Sequence, residues 1–127
     1  MNNQMSSEEL GELNSEALLR RLDEAREQAR KLGYEWVEAE KAYKDARELL
    51  PSVLAEFVRL HMTPGMKAGE GKLRALADRS YQFKVKDMNQ LEYAARLKEV
   101  EYRGWMESIK ALTAISYVRN NELKLHH

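Results

Sequence analysis

Thirteen apolar residues at alternating four- and three-residue spacing hold one register without a polar interruption: Leu18, Leu22, Ala25, Ala29, Leu32, Trp36, Ala39, Tyr43, Ala46, Leu50, Val53, Phe57 and Leu60. With 43% of the chain apolar, one register fills this way by chance on the order of once in 10⁵, and such a repeat lies on one narrow stripe of an α-helix. The stripe predicts a helix over 15–61, with Asn14 or Ser15 as its N-cap. Pro51 falls inside the stripe without shifting its phase. A kink near Pro51 is therefore expected in place of a helix end, although proline removes an intrahelical hydrogen bond and costs ~3 kcal/mol.

The chain punctuates itself clearly once. The stretch 62–71, MTPGMKAGEG, holds one proline and three glycines and predicts a turn. Upstream, Ser6 and Glu9 have the spacing of a capping box and predict a short helix over 7–13. Downstream, a helix over 72–123 carries its own 4-3 register: Ala77, Tyr81, Lys84, Met88, Leu91, Ala95, Lys98, Tyr102, Trp105, Ile109, Leu112 and Ser116. A turn near Lys67 sets Trp105 against Ala29, Ile109 against Ala25, Leu112 against Leu22, Leu91 against Tyr43 and Met88 against Ala46, so large residues often face small ones. Lys98 would then face Trp36 in a cation–π contact. The expected fold is all-α: a single domain over 1–127, a long antiparallel two-helix hairpin with coiled-coil-like packing and a short N-terminal helix, oligomerising into a helical bundle.

Composition narrows the function classes. Only two prolines and six glycines in 127 residues favour helix throughout, and a charged third of the chain suits thin packing better than a wide core. No cysteine is present, which removes disulfides and cysteine-rich zinc sites. No apolar run approaches the ~20 residues of a membrane span, and the start MNNQMSSEEL lacks a signal-peptide core, so no membrane association and a cytoplasmic location are expected. Net charge is zero, unlike a protein bound to duplex DNA by bulk electrostatics. The charge is nevertheless polarised: residues 1–48 hold twelve acidic against eight basic side chains, and residues 63–86 hold six basic against two acidic.

Catalytic chemistry has little to use. The histidines are His61, His126 and His127, none of them in a helical pair that places two ligands on one face. The carboxylates lie off the stripe among lysines and arginines, as in Glu38, Glu40, Lys41 and Lys44, so no metal, cofactor or enzymatic activity is expected. The glycine-rich stretch ends in Gly71 and Lys72 but lacks phosphate-loop spacing.

Two surfaces remain. Lys67, Lys72, Arg74, Arg79, Lys84 and Lys86 surround Tyr81 and Phe83, and this mixture of cations and aromatics suits single-stranded nucleic acid. Tyr81 lies on the stripe and reads as core; Phe83 lies off it and is the better stacking candidate. On the flank of the second helix, Ala94, Leu97, Gly104, Ser108, Ala111, Ile115 and Val118 form a small-residue track, a candidate oligomer interface. Trp36 and Trp105 both lie on stripes and read as core.

A long first helix bearing Tyr and Trp, a glycine-bearing turn, a basic-aromatic segment and a second helix ending in LTAISYVRNNELKL together resemble small helical phage and prophage proteins, in particular the recombination mediators typified by UvsY. The resemblance implies an oligomeric accessory protein, in the bacterial host cytosol, that binds single-stranded DNA and helps load a recombinase onto DNA coated by single-strand-binding protein. An alternative is a phage-type inhibitor of a host defence nuclease, acting by protein–protein binding like an anti-CRISPR. There Glu8, Glu9, Glu12, Glu16, Asp23, Glu24 and Glu27 would mimic phosphates, although Arg20, Arg21, Arg26 and Arg30 interrupt them. A structural coiled-coil adaptor is a third possibility.

Overall fold

The computed structural model describes residues 14–125. Among them the chain is all-helical, with no strand: α1 spans Ser15–His61, α2 Ala68–Ala77 and α3 Arg79–Leu125. The helix expected over 7–13 lies outside the described residues. No helix among them is long and apolar enough to cross a membrane.

Asn14 starts α1: its side-chain oxygen accepts the Ala17 amide at 2.7 Å and its carbonyl accepts the Leu18 amide at 2.9 Å. Glu16 in the first turn and Arg59 and His61 in the last complement the helix dipole. Pro51 sits inside α1, which continues unbroken to His61 because only one backbone bond is forfeited at that position.

Contacts divide the chain into two units, Met1–Trp36 with Lys98–His127 and Val37–Leu97. In the first, α1 and α3 run antiparallel. Leu18, Leu22, Ala25 and Leu112 form the buried core, with Trp105, Ile109 and Ile115 packed against it. Each fully buried leucine contributes roughly 1.5–3 kcal/mol. Further along, Gly33 lets the Tyr102 ring approach, and Tyr102 packs on Trp36 with ring centroids 5.6 Å apart. The expected Lys98–Trp36 contact is not formed. Lys98 Nζ donates to Glu35 Oε2 at 2.8 Å, because a carboxylate within reach outcompetes a ring face, and the cation over Trp36 is Arg103 at 6.0 Å. The Glu35–Lys98 hydrogen bond holds the carboxyl below its ordinary range and the ammonium above its own, against the opposing effect of desolvation.

In the second unit Tyr43 is buried between Arg47 and Arg96, whose guanidinium carbons lie 5.2 and 5.9 Å from its ring centre, and Arg96 bonds Glu40 at 3.2 Å. Tyr81 is buried edge-on to Phe57, centroids 5.8 Å apart. The connection differs from the expected turn over 62–71 and unbroken helix from 72. Met66 donates to the Thr63 carbonyl at 3.0 Å across Pro64 and Gly65, and Gly65 takes the left-handed φ of 85° that such a tight turn requires. After Lys67, the ten residues Ala68–Ala77 form a separate helix, α2, which Asp78 ends with an extended φ of −66° and ψ of 129°.

Helix α2 reorganises the end of α1. Gly71 and Ala75 are buried, with Met62 and Val58 close to Gly71. Two stripe positions consequently face outward, contrary to expectation: Leu60 is 78% exposed, and Ala77 is exposed at the end of α2. Lys84, placed on the second stripe by spacing, is also exposed.

Candidate nucleic-acid interface

Arg79, Gln82, Phe83 and Lys86 follow the i, i+3, i+4, i+7 spacing that sets side chains on one helix face, and they line an open cleft of about 370 Å³ on the first two turns of α3. Tyr81 points the other way, into the core against Phe57, and this fixes which face α3 leaves to solvent. Phe83 is 63% exposed. A phenylalanine left this far out of the core gives up apolar burial unless something else covers its ring.

The electrostatics reinforce the geometry. Among the described residues, Lys67, Lys72, Arg74, Arg79, Lys84 and Lys86 form no ion pair, and nor do Arg20, Arg26, Lys31, Lys41 and Arg59, whereas Arg21–Glu24, Arg30–Glu27, Arg96–Glu40 and Arg103–Glu99 are paired. Of the two carboxylates in 63–86, Glu70 lies in the first turn of α2, and Asp78 is committed to hydrogen bonds. Its Oδ2 lies 2.8 Å from His61 Nε2, and Oδ1 accepts the Ser80 and Tyr81 amides at 2.8 and 3.4 Å. The bond from His61, aided by those amides and opposed by desolvation, holds the Asp78 carboxyl below the usual range.

Of the seven residues expected at a nucleic-acid surface, the cleft brings together Arg79, Phe83 and Lys86. Lys67 is the N-cap residue of α2, Lys72 and Arg74 lie on α2, and Lys84 is off the cleft lining. Gln82 was not anticipated; its Nε2 donates to the Leu76 carbonyl at 3.3 Å. Only its spacing from Arg79 and Lys86 signals it.

The small-residue track is partly used. Ala94 and Leu97 are exposed in one unit; in the other, Ala111 and Val118 are exposed, Ile115 packs on the leucine core, and Ser108 Oγ donates to the Gly104 carbonyl at 3.3 Å. Of the acidic residues, Glu8, Glu9 and Glu12 lie outside the described residues, Glu16 and Asp23 are exposed, and Glu24 and Glu27 are held by Arg21 and Arg30 at 3.1 and 2.6 Å. A second open cleft, of about 410 Å³ and lined among others by Arg21, Glu24, Lys31, Glu35, Lys98, Glu101 and Trp105, mixes both signs of charge. Among the described residues no group of three or more His, Asp or Glu is placed to hold a metal ion. Comparison with protein families, curated proteins and solved structures returns no match.

Proposed function

We propose that the chain is a non-enzymatic accessory protein that binds single-stranded nucleic acid on the first two turns of α3. The observation that carries this is an exposed Phe83 set between the unpaired cations Arg79 and Lys86 in one open cleft. An aromatic face stacks on an unpaired base for ~1–3 kcal/mol and the cations neutralise flanking phosphates; a base already stacked within a duplex offers no free face. The neutral total charge then matters less than its distribution, since the four further free cations of α2, the turn and α3 belong to the same unit as the cleft.

The wider setting follows the resemblance to phage recombination mediators. In it the chain self-associates as a coiled-coil-like helical hairpin, and the partners are a recombinase and single-strand-binding protein. Fluorescence anisotropy with labelled oligonucleotides tests the binding itself. Single strands are expected to bind more tightly than duplex of the same length, with log K falling against log salt at a slope between about −1.4 for two phosphate contacts and about −4 for six. Equal affinity for duplex, or none at low salt, counts against the proposal.

A further inference from the structure

We infer that Asp78 and His61 are positioning residues for this cleft, fastening the first turn of α3 so that Arg79 and Gln82 stand in line with Phe83 and Lys86. The inference rests on the cleft being a nucleic-acid site and concerns how it is kept in shape.

The first turn of α3 is electrostatically the wrong place for a cation. Helix N-termini favour negative charge, yet α3 has no acidic residue in its first turn and begins with Arg79. A rule of local stability broken at one position points to a requirement for that side chain there. Compensation comes from one residue outside the helix. Asp78 Oδ1 takes the amides of Ser80 and Tyr81, while its main-chain carbonyl takes the Gln82 amide at 3.0 Å and its own amide donates to Ala75 at 3.1 Å. Asp78 thus closes α2 and opens α3 at once.

That cap depends on how the carboxylate is turned. Rotation about the side-chain bonds would withdraw Oδ1 from the amides, and the 2.8 Å contact between Oδ2 and His61 Nε2 opposes it. His61 is itself fixed as the final residue of α1. The Gln82 side chain, bonded to the Leu76 carbonyl, ties the same turn to α2 a second time. Without these fastenings the turn frays, Arg79 and Gln82 leave the face they share with Phe83 and Lys86, and the binding-competent population falls, which lowers apparent affinity in proportion.

The test uses the full chain with Asp78→Ala, Asp78→Asn and His61→Ala, reading single-stranded oligonucleotide affinity and amide exchange in residues 80–83. Asp78→Ala is expected to raise the frayed-to-closed ratio of the turn about fivefold, the size of a lost N-cap, speeding exchange of those amides by about that factor and weakening binding by up to the same factor. Asp78→Asn keeps a capping oxygen and restores most of both; His61→Ala weakens binding about twofold. In a chain already lacking Arg79, Phe83 and Lys86 side chains, Asp78→Ala has no further effect on any residual binding. Unchanged amide exchange in both alanine variants overturns the inference whatever the oligonucleotide does. If the wild type binds no oligonucleotide, the cleft is not a nucleic-acid site and a positioning role for binding falls with it, while exchange still reports whether the pair fastens the turn.

Discussion

Gly71→Ala sets two effects of known sign against each other. On an open helix surface the exchange stabilises by about 1 kcal/mol, because glycine loses more backbone freedom on folding than alanine. At Gly71 an added Cβ runs into Met62 Sδ and lies 3.2 Å from Met62 Cγ and 3.6 Å from Val58 Cγ1. Met62 is 37% exposed and can swing outward, but only by giving up its packing on α2; otherwise α2 itself must lift. Overpacking of this kind costs about 1–3 kcal/mol, so after the helical gain a net loss of about 1 kcal/mol is expected. Urea denaturation followed by far-UV circular dichroism reads it as a lower midpoint at unchanged slope. Gly33→Ala is the control. There the new Cβ meets only the edge of Tyr102, at 3.3 and 3.6 Å, and a small ring shift leaves the variant neutral or up to about 0.5 kcal/mol more stable. Adding Met62→Ala to Gly71→Ala removes the clash, giving a coupling of about 1 kcal/mol. A Gly71→Ala chain as stable as the parent, with no coupling to Met62, would refute the close approach of α2 to α1.

Ser116 Oγ is buried without a hydrogen-bond partner among the described residues, so Ser116→Ala is expected to stabilise by about 1 kcal/mol, read as a thermal midpoint a few degrees higher. The lowered pKa of Glu35 and the raised one of Lys98 fix a pH dependence at both ends. The Glu35 contribution is full above the unfolded carboxylate value of about 4.3 and is lost as pH falls through the lower folded value; the Lys98 contribution is full below about 10.4 and is lost as pH rises through the higher folded one. Melting temperature against pH should therefore be flatter for Glu35→Gln than for wild type in both acid and alkali, and parallel curves would exclude the pair as a source of stability.

Helix α1 was legible in its extent because an uninterrupted stripe, a cap at Asn14 or Ser15 and a proline–glycine turn bracket the same stretch; the structure chooses Asn14 as the cap. The break at Asp78 was not. Asp78 lies inside a run of good helix formers, and its capping role shows only once α2 packs on Met62 and Val58 and turns the chain. The same packing explains Leu60: periodicity assigns it to the stripe, but it knows nothing of a third helix covering the end of α1. Lys98 shows a different limit. Its level was near the expected one, opposite residues 35 and 36, yet the choice between Glu35 and Trp36 depends on side-chain direction and not on register. At the candidate site, Phe83 was readable as exposed because it lies off the stripe, whereas the selection of Arg79 and Lys86 from six cations needed the helix face.

The most direct measurement compares wild type, Phe83→Ala and a chain with both Arg79→Gln and Lys86→Gln in single-stranded oligonucleotide binding across a salt series. Phe83→Ala is expected to lose about 5- to 150-fold in affinity with its salt slope kept, since stacking is not a counterion effect. The double glutamine chain is expected to have a slope shallower by about 1.4, two phosphate contacts having gone. Unchanged affinity for Phe83→Ala together with an unchanged slope for the glutamine chain would contradict the assignment of this cleft to single-stranded nucleic acid.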